Sequence, residues 1–267
     1  MNAIKPILVL NSRYNVSTIA TLFCREKTFM DERENQEPQL RSAEAVHRRA
    51  LALAYLTCRA MIDSDPHANA GKMSSNIMLY VDGVGLANEF LPHELRLLKS
   101  PFGTLDESEC IETSWLSEGM VVLAWAIGQA ELPSPRVKCD PGPVAIGLGM
   151  FQPRTRERLA KAKLRDAREI EAKSLTYLAL NWRIGHFIEN PGEKMDLAAK
   201  LKDPSSPHLL VDEVEMADND LALDGVPLAK VPRAKAGEFF HIVRERFNAF
   251  KWLQGLSAQY CTGAGFQ

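Results

Sequence analysis

Three charged residues lie on apolar faces of segments that we expect to be helical, namely Arg49, Glu118 and Glu245. The positions one helical turn from Glu118 include Trp115 and Val122. A carboxylate buried among such neighbours must either pair with a cation or shift its pKa upward. We therefore expect an internal Arg–Glu pair that holds helices in register. The alternative is that Glu118 and Glu245 line a pocket for acid–base chemistry or for a cation.

Sequence motifs for other chemistries are missing. The segment 82–89 (DGVGLANE) matches neither the GxxxxGK[ST] nor the GxGxxG phosphate-binding pattern, so we predict a plain turn there. No two histidines lie within five residues of each other, which excludes the HxH, HxxxH and HExxH ligand spacings. The GxSxG and SxxK nucleophile motifs are also absent. We predict no cofactor, no metal ion and no catalytic residue.

A basic run between Arg154 and Arg165 holds six basic residues and one acid, a composition found in nucleic-acid-binding segments. Acidic residues follow it, and no aromatic residue interleaves to stack on bases, so we predict an exposed helix face instead. With 32 basic and 34 acidic residues, the chain has a net charge of −2. That balance gives no overall field to attract nucleic acid or an acidic membrane.

The stretch from residue 113 to residue 133 is the most apolar part of the chain. Its longest uninterrupted apolar run extends only from Met120 to Ile127, and Glu118 precedes that run. A membrane span needs about 20 predominantly apolar residues. We therefore predict a buried helix that ends before Pro133, and no membrane partner.

The five cysteines are scattered along the chain without a CxxC pair. An odd, unpatterned set is more typical of free thiols in a reducing compartment than of a disulfide framework or a zinc site. The first residues also lack the charged start, apolar segment and cleavage site of a secretory signal. We predict a cytoplasmic protein.

The hydrophobic pattern predicts a mainly α protein, a compact multi-helix domain with a small β-hairpin and a short N-terminal strand. Residues 1–39 are expected to form an N-terminal extension, and residues 40–267 a single helical domain. Asp224-Gly225 is the best turn signal, which places a hairpin insertion around 207–231. The extension is expected to hold a strand at 5–10 and a helix at 17–29. Longer helices are expected at 41–62, 113–133, 154–190 and 236–256, and exposed loops at 63–76, 134–153 and 203–235.

Three short motifs follow one another in the predicted helices. They comprise Arg41, Ser42, Val46, Arg49 and Ala50; then Trp115, Glu118, Leu123, Trp125, Ala126, Gly128, Leu132 and Pro133; and finally Glu245, Arg246, Ala249, Trp252 and Leu253. With these motifs the sequence resembles the family called domain of unknown function 4272, over roughly residues 40–256. The resemblance implies a mainly helical fold and no assigned activity. The chain departs from the family pattern around Tyr177, where Ser174 and Leu178 stand in place of an Asp and an Arg.

The missing catalytic motifs and the near-neutral charge favour a non-enzymatic, intracellular protein-interaction domain whose partner is another protein. One form of that role is an immunity-type protein that neutralises a toxin. The predicted Asp224-Gly225 hairpin and the loop at 134–153 are the expected contact surfaces, because binding residues concentrate on loops. The alternative is an uncharacterised hydrolase-like enzyme that uses Glu118 and Glu245, with Arg49 or a histidine beside them. Nucleic-acid binding through the basic run is a third, less favoured, hypothesis.

Overall fold

A computed structural model describes residues 39–65, 70–202 and 214–260, except for the side chains of residues 70–75. The predicted strand at 5–10 and helix at 17–29 lie outside the described residues, and so does nearly all of the predicted extension 1–39.

Helices dominate the described residues, which confirms the predicted mainly α class. Their bounds are α1 Ala43–Asp63, α2 Ala70–Val84, α3 Pro92–Lys99, α4 Glu107–Ser114, α5 Leu116–Ala126, α6 Pro141–Leu148, α7 Thr155–Ala160, α8 Ala167–Glu189, α9 Leu197–Lys202 and α10 Arg233–Leu253. Short 3-10 turns lie at Ala87–Glu89 and Leu228–Lys230. Across the described ranges, every helix is too short or too polar to cross a membrane.

Helix α5 lies at the centre of the fold. Every one of its residues is buried, and both α1 and α10 pack against it, while α10 also packs against α8. Fully burying one aliphatic side chain such as Val121 or Leu123 stabilises the fold by about 1.5–3 kcal/mol. This packing carries Glu118, in the first turn of α5, into the interior.

The start of α1 is fastened to the end of α10. Ser42 caps α1, because its hydroxyl accepts a hydrogen bond of 3.2 Å from the Ala45 amide. The Arg41 side chain donates to the carbonyls of Trp252 and Ser257 at 2.8 Å each, and its amide donates to the Leu253 carbonyl at 3.0 Å. The first and third sequence motifs therefore meet in space.

Two predicted long helices are interrupted. The buried helix predicted at 113–133 is confirmed, but its bounds are too wide, because α4 ends at Ser114, Trp115 forms a junction, and α5 covers only Leu116–Ala126. The predicted helix at 154–190 is likewise divided into α7 and α8. Asp166 begins α8 by accepting a hydrogen bond of 2.9 Å from the Arg168 amide, and aspartate strongly prefers this capping position.

The predicted loop at 134–153 contains the helix α6, which corrects that prediction. Asp140 caps α6 by accepting from the Gly142 amide at 3.1 Å, and Pro141 occupies the first helical position, where its missing N–H costs nothing. Gly149 ends the helix in the left-handed region at φ 87°. The predicted loop at 63–76 is also too long, since α2 begins at Ala70.

A three-stranded antiparallel sheet stands where the hairpin was predicted. Its strands are β1 Met216–Ala217, β2 Asp220–Leu223 and β3 Val226–Pro227, in the order β1-β2-β3. Both residues of the predicted Asp224-Gly225 turn have positive φ, as two-residue hairpin turns require. Residues 207–213 of the predicted insertion lie outside the described residues.

Candidate functional site

Glu118 forms the internal ion pair that its position predicted, and its partner is Arg246 on α10. Arg246 Nε and Nη2 lie 2.9 Å and 2.7 Å from Glu118 Oε2. The other carboxylate oxygen, Oε1, accepts a hydrogen bond of 2.7 Å from the Cys139 amide. Both oxygens of Glu118 therefore hold other parts of the chain in place.

Arg246 extends this network to the segment before α6. Its Nη1 donates to the Pro133 carbonyl at 2.7 Å and to the Tyr177 hydroxyl at 2.8 Å, and its Nη2 donates to the Val137 carbonyl at 2.7 Å. Burial works to lower the pKa of Arg246, but Tyr177 and Glu118 outweigh it and raise that pKa above its ordinary value. The guanidinium thus joins α5, α8 and α10 to residues 133–139.

Arg49 pairs with a different carboxylate, Glu94 on α3. Its Nη1 and Nη2 lie 2.8 Å and 2.5 Å from the two Glu94 oxygens, a bidentate geometry, and Nη1 also donates to the Glu89 carbonyl at 2.8 Å. On another side the guanidinium lies 4.6 Å from the centroid of the Tyr260 ring. Sequence reasoning identified Arg49 but missed Glu94 and Tyr260.

Glu245 shares the surroundings of Tyr260 with Arg49. Burial raises the pKa of Tyr260 well above its ordinary value, and the negative charge of Glu245 adds to that rise. The Tyr260 hydroxyl lies against Gly119, where any side chain would overlap it. The structure therefore brings Arg49 and Glu245 to one tyrosine, whereas Glu118 directs its carboxylate to Arg246.

Two further buried ion pairs escaped the sequence analysis. Arg183 on α8 makes a bidentate pair with Asp220 on β2 at 2.7 Å and 2.6 Å, and Arg59 pairs with Asp63 one helical turn later. The four-residue spacing of Arg59 and Asp63 was a usable signal. No signal identified Asp220, because a turn-rich segment gives no reason to expect a buried carboxylate.

The two residues that depart from the family pattern around Tyr177, Ser174 and Leu178, are buried. The Ser174 hydroxyl donates to Gln254 Oε1 at 2.7 Å, which ties α8 to the end of α10. Leu178 packs in the core. Tyr177 itself stacks on Phe250, with ring centroids 5.4 Å apart.

Lys138, Trp115, His241 and Arg244 form a group that we call the cationic–aromatic cluster. The His241 and Trp115 rings stack with centroids 5.0 Å apart, and Lys138 Nζ lies 4.3 Å from the Trp115 centroid, within cation–π range. Burial lowers the pKa of His241 to about 4, helped by the positive charges of Arg244 and Lys138. His241 is therefore neutral at pH 7. Sequence reasoning included Trp115 in a motif and missed the other three.

Arg136 joins the two segments that were predicted to make contacts. It lies in the segment before α6, and it pairs with Glu215, just before β1, at 2.5 Å. It also pairs with Asp224 in the hairpin turn. Val137 (55% exposed), Met216 (37%) and Val226 (39%) lie within two residues of these paired groups and are apolar. We call these six residues the loop–hairpin face.

No metal centre is evident in the part of the chain that the structure describes, where no group of three or more His, Cys, Asp or Glu side chains converges. His47 lies buried on α1, and its Nε2 is 2.9 Å from the Leu148 carbonyl. Burial lowers the pKa of His47, which keeps the ring neutral at pH 7. His47 thus ties α1 to the end of α6.

Comparison with known proteins gives one result. The family model described as Domain of unknown function (DUF4272) matches residues 23–203, more than half of the chain. The match begins before the predicted boundary at residue 39 and does not include the third motif. No curated protein and no solved structure matches significantly. The chain therefore belongs to the DUF4272 family, as its sequence motifs indicated.

Proposed function

We propose that the chain is a protein-interaction domain that binds another protein through the loop–hairpin face and carries out no reaction of its own. One observation carries the proposal: Arg136 holds together two segments far apart in sequence, each of which presents exposed apolar side chains. Exposed aliphatic groups gathered among charged ones match the apolar centre and polar rim of protein interfaces.

The charges of this face favour a protein over a nucleic acid. Within the face, Arg136 pairs with Glu215 and Asp224. Lys235, which lies beside the face, adds a second positive charge, with its Nζ 2.5 Å from Asp224. A surface without a positive excess lacks the phosphate-neutralising charge on which nucleic-acid binding depends. The partner is therefore expected to offer an apolar patch with both charge signs around it.

The sheet that contributes to the loop–hairpin face is better suited to binding a partner through its side chains than through an added strand. Strand β3 ends at Pro227, which has no amide hydrogen to pair with an added strand. Met216 is the cross-strand partner of Leu221, and Val226 that of Leu223. Because Leu221 and Leu223 are two residues apart on β2, Met216 and Val226 lie on the same side of the sheet.

The interior carboxylates add indirect support. Both oxygens of Glu118 are engaged by Arg246 and the Cys139 amide, so this carboxylate is not poised to exchange protons with a substrate. The hydrolase-like alternative, which relied on Glu118 and Glu245, is accordingly less favoured.

An immunity-type protein that neutralises a toxin is one form of the proposed role, and the cytoplasm is the proposed location. Among the described residues Cys58, Cys110 and Cys139 are free thiols. Free thiols in buried or half-buried positions suit a reducing compartment.

Capture from an extract of the native cells tests the proposal. The immobilised wild-type chain is compared with Val137→Asp and Met216→Asp, and bound proteins are quantified by mass spectrometry at physiological salt. Leu79→Asp is the matched control, because Leu79 is 68% exposed on α2, outside the face. Thermal unfolding of each variant checks the fold.

We expect one protein to be retained in stoichiometric amount by the wild type and Leu79→Asp, and lost from both face variants. Equal retention by all four chains, or retention of no protein, would contradict the proposal. If the partner is a toxin, its purified activity should be inhibited by the wild type and not by Val137→Asp.

A further inference from the structure

Tyr260 is the buried end of a segment that otherwise lies at the surface. Residues 255–259, which follow α10, are exposed or half-buried, whereas Tyr260 is only 2% exposed. From Ser257 to Tyr260 the backbone makes no hydrogen bond to another backbone group of the described chain. Arg41 holds this part of the segment by donating to the Ser257 and Ala258 carbonyls at 2.8 Å and 3.2 Å. Beyond those two bonds, the end of the segment is attached through the Tyr260 side chain.

Four residues surround the Tyr260 side chain, and we call them the ring pocket: Arg49, Gly119, Glu245 and Trp252. The Arg49 guanidinium lies 4.6 Å from the ring centroid, within cation–π range. The Trp252 ring centroid lies 6.1 Å away, with the two rings inclined at 62°. The hydroxyl lies against Gly119, so the ring reaches the backbone of the central helix α5. The negative charge of Glu245 acts on that hydroxyl.

Two buried polar atoms of this arrangement are left without a hydrogen bond. Neither the Tyr260 hydroxyl nor Arg49 Nε has a hydrogen-bond partner within the described ranges. Buried polar groups are nearly always paired, and leaving one unpaired weakens the state that buries it. Tyrosine is therefore not the best occupant of the pocket that it fills. Because its segment is also weakly attached, a competing ring can displace it.

The charges around the pocket specify the kind of ring. Arg49 is already paired bidentately with Glu94, so it offers the face of its guanidinium to a ring and needs no further anion. Burial and then the charge of Glu245 raise the pKa of Tyr260, which shows that a negative charge is disfavoured at this hydroxyl. Gly119 closes the far end of the pocket. An uncharged aromatic ring of phenol size meets these conditions.

We propose that the ring pocket is a binding site for an uncharged aromatic ring of phenol size, and that Tyr260 fills it as a plug that the ligand displaces. Arg49 contacts the face of the bound ring, and Gly119 leaves room for its far end. The ring belongs either to a free small molecule or to a tyrosine side chain of another chain, which share the same chemistry. The site does not depend on the loop–hairpin face.

A titration of the wild-type chain with 4-methylphenol tests the plug directly. The chain is labelled with 3-fluorotyrosine, and Tyr260→Phe and Tyr177→Phe assign two of its signals in fluorine NMR spectra. Tyr177 is the matched control, because it is equally buried and stacks on Phe250 in the core. The probe should move the Tyr260 signal towards that of an exposed tyrosine and leave the Tyr177 signal in place. A Tyr260 signal that stays fixed up to the solubility limit of the probe would overturn the inference.

Variants of the plug and of the pocket locate the bound ring. A plug that is seated nine-tenths of the time lowers the apparent affinity about tenfold, so Tyr260→Ala should bind 4-methylphenol about tenfold more tightly than the wild type. Adding Gly119→Ala to that variant places a methyl group where the hydroxyl of the probe lies, and should weaken binding about tenfold. Equal affinity of Tyr260→Ala and the wild type, or no effect of Gly119→Ala, would contradict the proposed site. The wild-type titration decides the matter if Tyr260→Ala does not fold.

N-acetyltyrosinamide distinguishes the two sources of the ring. Displacement of Tyr260 by both probes would assign the pocket to a tyrosine side chain of another chain, and displacement by 4-methylphenol alone would assign it to a free molecule. Displacement by neither probe would reject the site. That result would leave the loop–hairpin face standing, because partner capture and its loss in Val137→Asp are measured independently.

Discussion

Replacing Glu118 with Gln removes the charge that balances Arg246 in the centre of the fold. Breaking a buried ion pair by removing one partner costs about 3–5 kcal/mol, because the remaining charge is left uncompensated. Arg246 keeps its bonds to the Pro133 and Val137 carbonyls and to the Tyr177 hydroxyl. We therefore expect a loss near the lower limit, about 3 kcal/mol of unfolding free energy.

That loss is large enough to measure in two ways. Urea unfolding followed by circular dichroism should show a lower midpoint, and the melting temperature should fall by roughly 6–12 °C. Glu171→Gln is the matched control, since Glu171 is exposed on α8, and it should change the free energy by less than about 0.5 kcal/mol. A stability of Glu118→Gln within about 1 kcal/mol of the wild type would refute the structural role of the Glu118–Arg246 pair.

Four further predictions concern other parts of the molecule. Gly119→Ala should destabilise the protein by about 1–3 kcal/mol in urea unfolding, because the new methyl group overlaps the Tyr260 hydroxyl; an unchanged midpoint would contradict that packing. The pKa of His241 is lowered to about 4 in the folded protein, whereas it is about 6.5 in the unfolded chain. Between these pH values the unfolded chain binds the extra proton, so the contribution of His241 to stability is present above pH 6.5 and is lost as the pH falls towards 4. His241→Gln should therefore lose less stability over that pH range, and a pH dependence identical to that of the wild type would contradict the lowered pKa. Arg136→Ala should lower the free energy of unfolding by at most about 1 kcal/mol, since its ion pairs are partly exposed, but it should weaken partner capture. Capture at the wild-type level would show that Arg136 does not contribute to binding. Burial raises the pKa of Cys139 to about 12, so its thiol should resist iodoacetamide at pH 8 until the protein is unfolded. Peptide mass spectrometry measures the modification, and rapid modification of the native protein would contradict the burial of Cys139.

The local patterns in the sequence were sufficient for the elements that local chemistry determines. Asp224-Gly225 was identified as a hairpin turn because both of its residues tolerate the positive φ that such a turn requires. The helix α6 was missed because PGPVAIGL holds two prolines and two glycines. Its helical form depends on the Asp140 cap and on burial of Leu148, which only tertiary packing supplies.

The interior charges were predictable in kind but not in pairing. The apolar helix face around Glu118 indicated that this carboxylate needs a cationic partner. The local sequence does not show whether that partner is Arg246 or Arg49, and in the structure Arg246 pairs with Glu118 whereas Arg49 pairs with Glu94. The loop–hairpin face was predictable only as two separate segments. Arg136 meets Glu215 across 79 residues, and such a distant pair leaves no periodic trace in a single sequence.

Hydrogen–deuterium exchange of the chain with and without its captured partner tests the central claim most directly. Binding at the loop–hairpin face should slow exchange in residues 134–139 and 214–227, with α2 around Leu79 unchanged. Slowed exchange elsewhere, with none in these two segments, would contradict the assignment of this face as the binding surface.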